Sequence, residues 1–136
     1  MTFVLDASTA LAWHFDDEDS PYADRVLERL QTEGAFVPSI WALEVANGLL
    51  MAEKRGRMSI AETAEAVEDM LGLRITILEA DAVLALRTIL VLARGQGLTT
   101  YDAAYLDLAM REGLPLATQD RDLKRAAGRV GVELIW

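Results

Sequence analysis

Four acidic side chains that lie far apart along the chain have positions from which they could do chemistry together. They are Asp6, Glu44, Asp102 and Asp120. Asp6 and Asp120 each follow a short apolar run typical of a buried parallel strand, and open α/β sheets bind ligands at the carboxyl ends of such strands. Carboxylates brought together repel one another and require a counter-charge. Oxygen ligands favour Mg²⁺ or Mn²⁺, an ion that activates water and polarises a phosphodiester.

Glu44 carries the strongest individual signal, because it lies inside a predicted helix where no cap is needed. Its neighbours three and four residues away include Trp41, Asn47 and Gly48, and none of them is a cation. A glycine inside a helix costs about 1 kcal/mol relative to alanine, so we expect another group to approach that turn closely. A solvated glutamate normally has water or a lysine as its partner. Glu44 is therefore predicted to be functional.

The other three acids also have ordinary structural explanations. Asp6 could cap the helix that follows it, and Thr118 could cap the next helix, with Asp120 as an acid favoured by the helix dipole. Asp102 lies three residues after Thr99, the spacing of a capping box. Each position alone has a structural explanation, whereas the set of four acids predicts a site.

Two further acids serve as internal comparisons. Asp107 has Arg111 four residues later, the ordinary spacing of an exposed ion pair, and is assigned no role in the site. Asp122 lies within reach of Arg125 and Arg129. We therefore expect Asp122 to be exposed and leave it outside the site.

The composition indicates one globular domain over residues 1–136, with 52% hydrophobic and 26% charged residues. The most apolar stretch, residues 82–93, is interrupted by Arg87 and is too short to cross a bilayer. The amino terminus lacks the basic flank of a secretory signal, so we expect a soluble protein of the cytoplasm with no membrane partner. The absence of cysteine excludes disulfides, thiolate catalysis and Cys-ligated zinc. The single histidine, His14, is too few for a His-rich metal site.

The net charge of −9 argues against a generic nucleic-acid binder, which needs clustered basic groups to neutralise phosphates. The charge is uneven, because residues 1–53 carry ten acids and only two bases. Basic side chains gather at residues 54–57 and again at residues 121–129. They are either solvated helix ends or a basic rim beside an acidic centre.

Strands and helices alternate along the chain. The predicted strands cover residues 3–5, 35–37, 75–78, 114–117 and 132–135, and the predicted helices cover residues 8–15, 21–32, 40–54, 59–71, 80–93, 98–113 and 120–127. This alternation predicts an α/β fold, a three-layer α/β/α sandwich around a mainly parallel sheet. Helix 80–93 is apolar around most of its circumference, so we expect it to be deeply buried or to form a subunit contact. The acidic run 16–19 lacks the spacing and the central glycine of a calcium loop and is predicted to be a solvated turn.

Four segments together resemble a known family. They are FVLDAS at residues 3–8, PSIWALEVAN at 38–47, LTTYDAAYLDLA at 98–109 and LPLATQDRDL at 114–123. Their order and spacing resemble the PIN-domain ribonucleases, specifically the VapC toxins of prokaryotic toxin-antitoxin pairs. The resemblance covers essentially the whole chain as a single PIN-like nuclease domain.

The resemblance implies a metal-dependent endoribonuclease that acts on RNA, forms a homodimer and is inhibited by a small VapB-type antitoxin. Carried over position by position, it implies the following site: Asp6, Asp102 and Asp120 holding Mg²⁺ (or Mn²⁺), Glu44 holding a second ion or orienting water, Ser8 and Thr118 as neighbouring hydroxyls, and Asn47 as a nearby amide. All four acids are present, so we expect an active enzyme.

Two other classes of function remain open from the residues alone. An acid after the first strand also suits a phosphohydrolase that forms an aspartyl phosphate, although such a site needs an activating cation or a second acid nearby. The position two residues after Asp6 is Ser8. The other alternative is a non-catalytic module whose apolar helices bind a partner.

Overall fold

The computed structural model describes residues 1–15, 18 and 20–136. Except for Glu18, the solvated turn predicted at residues 16–19 lies outside the described residues. The described strands are β1 (Phe3–Leu5), β2 (Ala35–Pro38), β3 (Ile75–Leu78) and β4 (Leu116–Ala117), and the α-helices are α1 (Ala7–Ala12), α2 (Pro21–Glu33), α3 (Ile40–Lys54), α4 (Ile60–Leu71), α5 (Leu90–Gln96), α6 (Thr100–Glu112) and α7 (Arg121–Val130). A π-helical segment, Leu84–Ile89, runs directly into α5.

The four strands form one parallel sheet in the order β3-β2-β1-β4. The central strand β1 is fully buried, as its continuous apolar run predicts. Helices flank the sheet, with α6 packed on β1 and β2, and α1 packed on α2 and α3. The predicted α/β class with a parallel central sheet is confirmed.

The predicted last strand, residues 132–135, is wrong in extent. Only Leu134 pairs with the sheet, through an isolated parallel bridge to Leu116. The Leu116 amide donates to the Glu133 carbonyl at 2.9 Å, and the Ile135 amide donates to the Leu116 carbonyl at 3.0 Å. Because β4 has only two residues, it offers too little edge for a longer fifth strand.

The helix starts predicted at Ser20 and Ser59 are confirmed by their hydrogen bonds. Ser20 accepts from the Ala23 amide ahead of Pro21, the first residue of α2. Ser59 and Glu62 form the reciprocal bonds of a capping box at the start of α4. These short-range signals lie within one turn of sequence, so local chemistry alone specifies them.

The helix predicted at residues 80–93 departs from expectation. It is π-helical at its centre, and deep burial is wrong, since Val83 is 61%, Leu86 68% and Val91 58% exposed. Ile89 faces the interior and is buried. The alternative of a subunit contact therefore remains a prediction. Within the described part of the chain, no helix has both the length and the apolarity needed to cross a membrane.

The close approach predicted at Gly48 is made by Leu11 of α1. A Cβ atom at Gly48 would lie 2.4 Å from Leu11 Cδ1. We therefore expect Gly48→Ala to lower the free energy of unfolding by about 1 kcal/mol, since overpacking outweighs the gain in helix propensity. Chemical denaturation measures this effect.

Gly128 of α7 is the matched control, because a Cβ there meets no atom within 4 Å. Gly128→Ala should raise the free energy of unfolding by about 0.5–1 kcal/mol. Equal stabilisation by both substitutions would show that α1 does not restrict α3 at Gly48.

Candidate active site

Asp6 and Thr118 are adjacent because their strands are paired in register. Leu5 of β1 stands opposite Ala117 of β4, and the Asp6 amide donates to the Ala117 carbonyl at 3.0 Å. Each residue is the first after its strand, so both lie at the carboxyl edge of the sheet. This edge is where a parallel α/β sheet places ligands.

Asp6 is a buried carboxylate held by two hydroxyl groups. Asp6 is only 6% exposed. Its Oδ2 accepts from Thr118 Oγ1 at 2.7 Å and from Ser8 Oγ at 2.9 Å. Asp6 does occupy the N-cap position of α1, but its side chain makes no capping hydrogen bond. The structural explanation of Asp6 as a cap is therefore wrong.

Asp120, and not Thr118, caps α7. Its Oδ2 accepts from the Leu123 amide at 2.8 Å, and its own amide donates to Thr118 Oγ1 at 3.0 Å. Thr118 is 1% exposed and its hydroxyl joins Asp6 to the backbone of Asp120. The predicted capping role of Thr118 is wrong, because its hydroxyl oxygen accepts from the Asp120 amide, which precedes α7, and Asp120 itself occupies the N-cap position.

Glu44 reaches the same edge from α3, where it is half-buried one turn after the buried Trp41. Its Oε1 accepts from the Tyr105 hydroxyl of α6 at 2.6 Å. Sequence reasoning missed this partner. The available signal was a tyrosine in the packed face of a helix, because a buried phenol needs a hydrogen-bond acceptor.

The four acids lie near enough to affect one another electrostatically. Burial raises the pKa of Asp6, Glu44 and Asp102, and the negative charges of neighbouring acids raise all three further. For Asp102 these neighbours include Asp120 and Asp6. Asp102 itself is half-buried in the first turn of α6, whose N-cap Thr99 accepts from the Asp102 amide at 3.1 Å. The structure thus brings Asp6, Glu44, Asp102 and Asp120 to one edge of the sheet.

The donor set fits a hard cation that keeps part of its water shell. Among the described residues, no group of three acidic or histidine side chains could by itself hold a metal ion. Mg²⁺ commonly uses one or two carboxylates together with waters and substrate phosphate, so three protein ligands are not required. Burial first, and neighbouring negative charges second, raise the pKa of Asp6 and Asp102, so a divalent cation at this edge would stabilise their charged forms.

The remaining predicted positions fall around this edge. Asn47 is exposed on α3, one turn beyond Glu44. Asp122 is exposed and pairs with Arg125 at 2.8 Å, as predicted. Asp107 does pair with Arg111, at 2.7 Å, but the prediction that this pair is exposed is wrong, since Asp107 is only 3% exposed.

In metal-free protein, Asp6, Glu44 and Asp102 should each contribute a loss of stability as pH rises. The folded-state pKa values of Asp6, Glu44 and Asp102 lie above the ordinary values of 3.8 for Asp and 4.5 for Glu. At these three groups the folded state therefore binds more protons than the unfolded state, and their contribution to the free energy of unfolding falls as pH rises from about 4 through the raised values. Thermal unfolding in chelator across this range measures the effect.

Asp102→Asn removes one of the titrating groups and should reduce the fall in the free energy of unfolding with rising pH. Glu112 is exposed on the same helix, and Glu112→Gln should leave that fall unchanged. An equally steep pH dependence in Asp102→Asn would contradict the assigned repulsion.

Thr118→Val should destabilise the fold by about 1–3 kcal/mol, because the buried Asp6 carboxylate loses a donor without gaining space for water. The same change should raise the pKa of Asp6 further, since the Thr118 hydrogen bond lowers it. Urea denaturation measures the first effect and NMR titration of the carboxyl carbon the second.

Ser8→Ala is the matched comparison, since it removes the other hydroxyl donor to Asp6 from an exposed residue that water replaces readily. Its expected cost is smaller. Equal stability of Thr118→Val and wild type would show that the Thr118 hydroxyl does not support Asp6.

The fold and the acidic edge define a class of protein. Residues 3–129 match the family model of the PIN domain, and the chain belongs to that family. The resemblance predicted from the four sequence segments is thereby confirmed.

Within the family, the chain belongs with the VapC ribonucleases. It is 32% identical over 123 residues to Ribonuclease VapC3 of Pyrobaculum aerophilum, covering 90% of this chain and 92% of that protein. The crystal structure of PAE2754 from the same organism has a TM-score of 0.71 at 25% identity, covering 93% of this chain and 84% of that one. VapBC2 of Rickettsia felis, bound to a promoter DNA fragment, has a TM-score of 0.68 at 16% identity, covering 99% and 98%.

Proposed function

We propose that the protein is the toxin of a toxin-antitoxin pair, a metal-dependent endoribonuclease that hydrolyses RNA phosphodiester bonds. The observation that carries the proposal is the proximity of acids from separate segments at the carboxyl edge of the sheet, where burial and neighbouring charges raise the pKa of Asp6, Glu44 and Asp102. A relative of nearly equal length is named as a ribonuclease, which supports the same reaction.

Asp6, Asp102 and Asp120 would hold Mg²⁺ or Mn²⁺ together with water molecules and a substrate phosphate, since these carboxylates do not form a complete site by themselves. When bound, such an ion lowers the pKa of water, polarises the phosphodiester and stabilises the departing oxygen. Thr118 and Ser8 hold Asp6 through Oδ2 and leave Oδ1 out of those two hydrogen bonds.

Glu44 would orient the attacking water or hold a second ion. Its Oε1 is fixed by Tyr105, and burial raises its pKa towards the working range of a general base. A side chain of α6 thus positions the carboxylate of Glu44 on α3.

RNA would be attracted by the cation and by basic groups at the start of α7, supplying what the net charge of the chain does not. Arg121 directly follows Asp120 and is exposed. Backbone amides at a helix start add a favourable potential for phosphate.

The partners follow from the same reading. A VapB-type antitoxin would cover the acidic edge and prevent RNA from entering. The exposed apolar stripe formed by Val83, Leu86 and Leu90 would bind a second copy of the chain and make a homodimer. The reaction would take place in the cytoplasm.

The direct test is to map the ends of RNAs cut by purified protein in Mg²⁺ and in cells after brief expression. New ends at defined positions support the proposal. Absence of any cleavage, with tight partner binding retained, would favour a non-catalytic module, and a trapped phosphoryl group on Asp6 would favour an aspartyl-phosphate enzyme.

A further inference from the structure

A groove of about 400 Å³ opens beside the candidate active site. It is lined by Ser8, Leu11, Phe15, Glu18, Gln119 and Asp120. Two of these residues also belong to the site, since Ser8 donates to Asp6 and Asp120 is one of the four acids. Whatever occupies the groove is therefore attached to, or immediately next to, the group that the acids act on.

We infer that this groove binds one base of the RNA next to the scissile phosphate, with Phe15 as the stacking surface and Gln119 as a hydrogen-bonding partner. The inference rests on the proposed ribonuclease function and adds a base preference to it. Single-stranded RNA is recognised in this way, by aromatic stacking together with hydrogen bonds to base edges.

Phe15 is held in place by Arg57, a residue that does not line the groove. The guanidinium carbon of Arg57 lies 4.3 Å from the centroid of the Phe15 ring, and Arg57 Nη2 lies 3.4 Å from Glu18 Oε1. A cation over one side of an aromatic ring fixes the orientation of that ring. A ring fixed in this way loses little conformational entropy when a base stacks on it.

Gln119 is also positioned before any ligand binds. Its Nε2 donates to Ser20 Oγ at 3.2 Å, its Oε1 accepts from the Ser20 hydroxyl at 3.4 Å, and Ser20 Oγ accepts from the Ala23 amide at the start of α2. An amide oxygen has two lone pairs, so Gln119 Oε1 has acceptor capacity for a ligand.

The charge of the groove selects a base over a phosphate. Asp120 is acidic and would repel a phosphate, and Glu18 is acidic but paired with Arg57, whereas both carboxylates and the Gln119 amide oxygen are hydrogen-bond acceptors. Cytosine and adenine present exocyclic amino donors, and uracil presents a carbonyl oxygen at the equivalent position. The groove should therefore prefer cytosine or adenine to uracil.

The first test is cleavage of a randomised single-stranded RNA pool in Mg²⁺, with every cut site sequenced. Wild-type protein should disfavour uridine at one position beside the cut. Phe15→Leu should lower kcat/KM by about tenfold, mainly through KM, since one stacked base is lost. Phe15→Tyr keeps a stacking ring and should restore most of the rate.

Gln119→Ala should weaken discrimination against uridine. Gln31 is an exposed glutamine near the C-terminal end of α2, and the Gln31→Ala variant should cut RNA like wild type. Thermal unfolding of each variant separates loss of a base contact from loss of packing. Unchanged sequence preference in both Phe15→Leu and Gln119→Ala would overturn the inference while leaving the ribonuclease function intact.

The second test does not need cleavage. Cytidine, adenosine and uridine are titrated into isotope-labelled protein, and the Gln119 side-chain amide and the Phe15 ring are followed by NMR. Cytidine or adenosine should shift both sets of signals more than uridine does, even if no RNA is cut. Equal shifts by all three nucleosides, or none at Phe15 and Gln119, would contradict a base-binding groove.

Discussion

Asp102→Asn protein should cleave RNA at least about 10²-fold more slowly than wild type and should fold at least as stably. Loss of one group that stabilises charge in the reaction typically costs about 10²–10³ in rate. Asparagine keeps the shape and one oxygen of the side chain but removes the charge that the neighbouring acids oppose. Initial rates on a labelled RNA and thermal unfolding of the same samples measure the two effects.

Glu112→Gln is the control for this experiment, because it removes an exposed carboxylate from the same helix and should not change the rate. Comparing cells that express each variant also removes the effect of contaminating nucleases, which cut in every sample. Cleavage by purified Asp102→Asn at the wild-type rate would remove Asp102 from the site.

Excess EDTA should abolish cleavage, and added Mg²⁺ or Mn²⁺ should restore it. Burial and neighbouring negative charges raise the pKa of these carboxylates, so a divalent cation held by them would stabilise their charged forms and its removal would disfavour those forms. The same ions should raise the melting temperature of wild-type protein without RNA, since a ligand at 100 times its dissociation constant adds about 2.7 kcal/mol of stability. Binding should also release protons, which calorimetry in buffers of different ionisation enthalpy detects.

Asp6→Asn gives the matched comparison for the metal. This substitution removes the most buried of the four charges, so its melting temperature should respond little to Mg²⁺. Full activity in chelator, or an equal Mg²⁺ response of Asp6→Asn and wild type, would exclude a metal held by these acids.

Some features of Glu44 are set by nearby residues, whereas its hydrogen-bond partner is set by the tertiary structure. Its helix, its lack of a cation neighbour and the close approach at Gly48 could all be predicted from residues within one or two turns. Its hydrogen bond to Tyr105 spans 61 positions along the chain, and no local pattern specifies that pairing. The hydrogen bond from Thr118 to Asp6 likewise joins residues 112 positions apart, and no local pattern specifies it.

The sequence by itself determined the α/β class, the buried first strand, the helix starts at Ser20 and Ser59, and the family, because periodicity, capping and motif spacing are properties of short segments. Only the tertiary structure decided the hydroxyl support of Asp6, the burial of Asp107, the π-helical and exposed segment before α5, and the groove beside Phe15. Each of these depends on which segments pack together. Packing depends on contacts made by the whole chain, so no single stretch of residues specifies it.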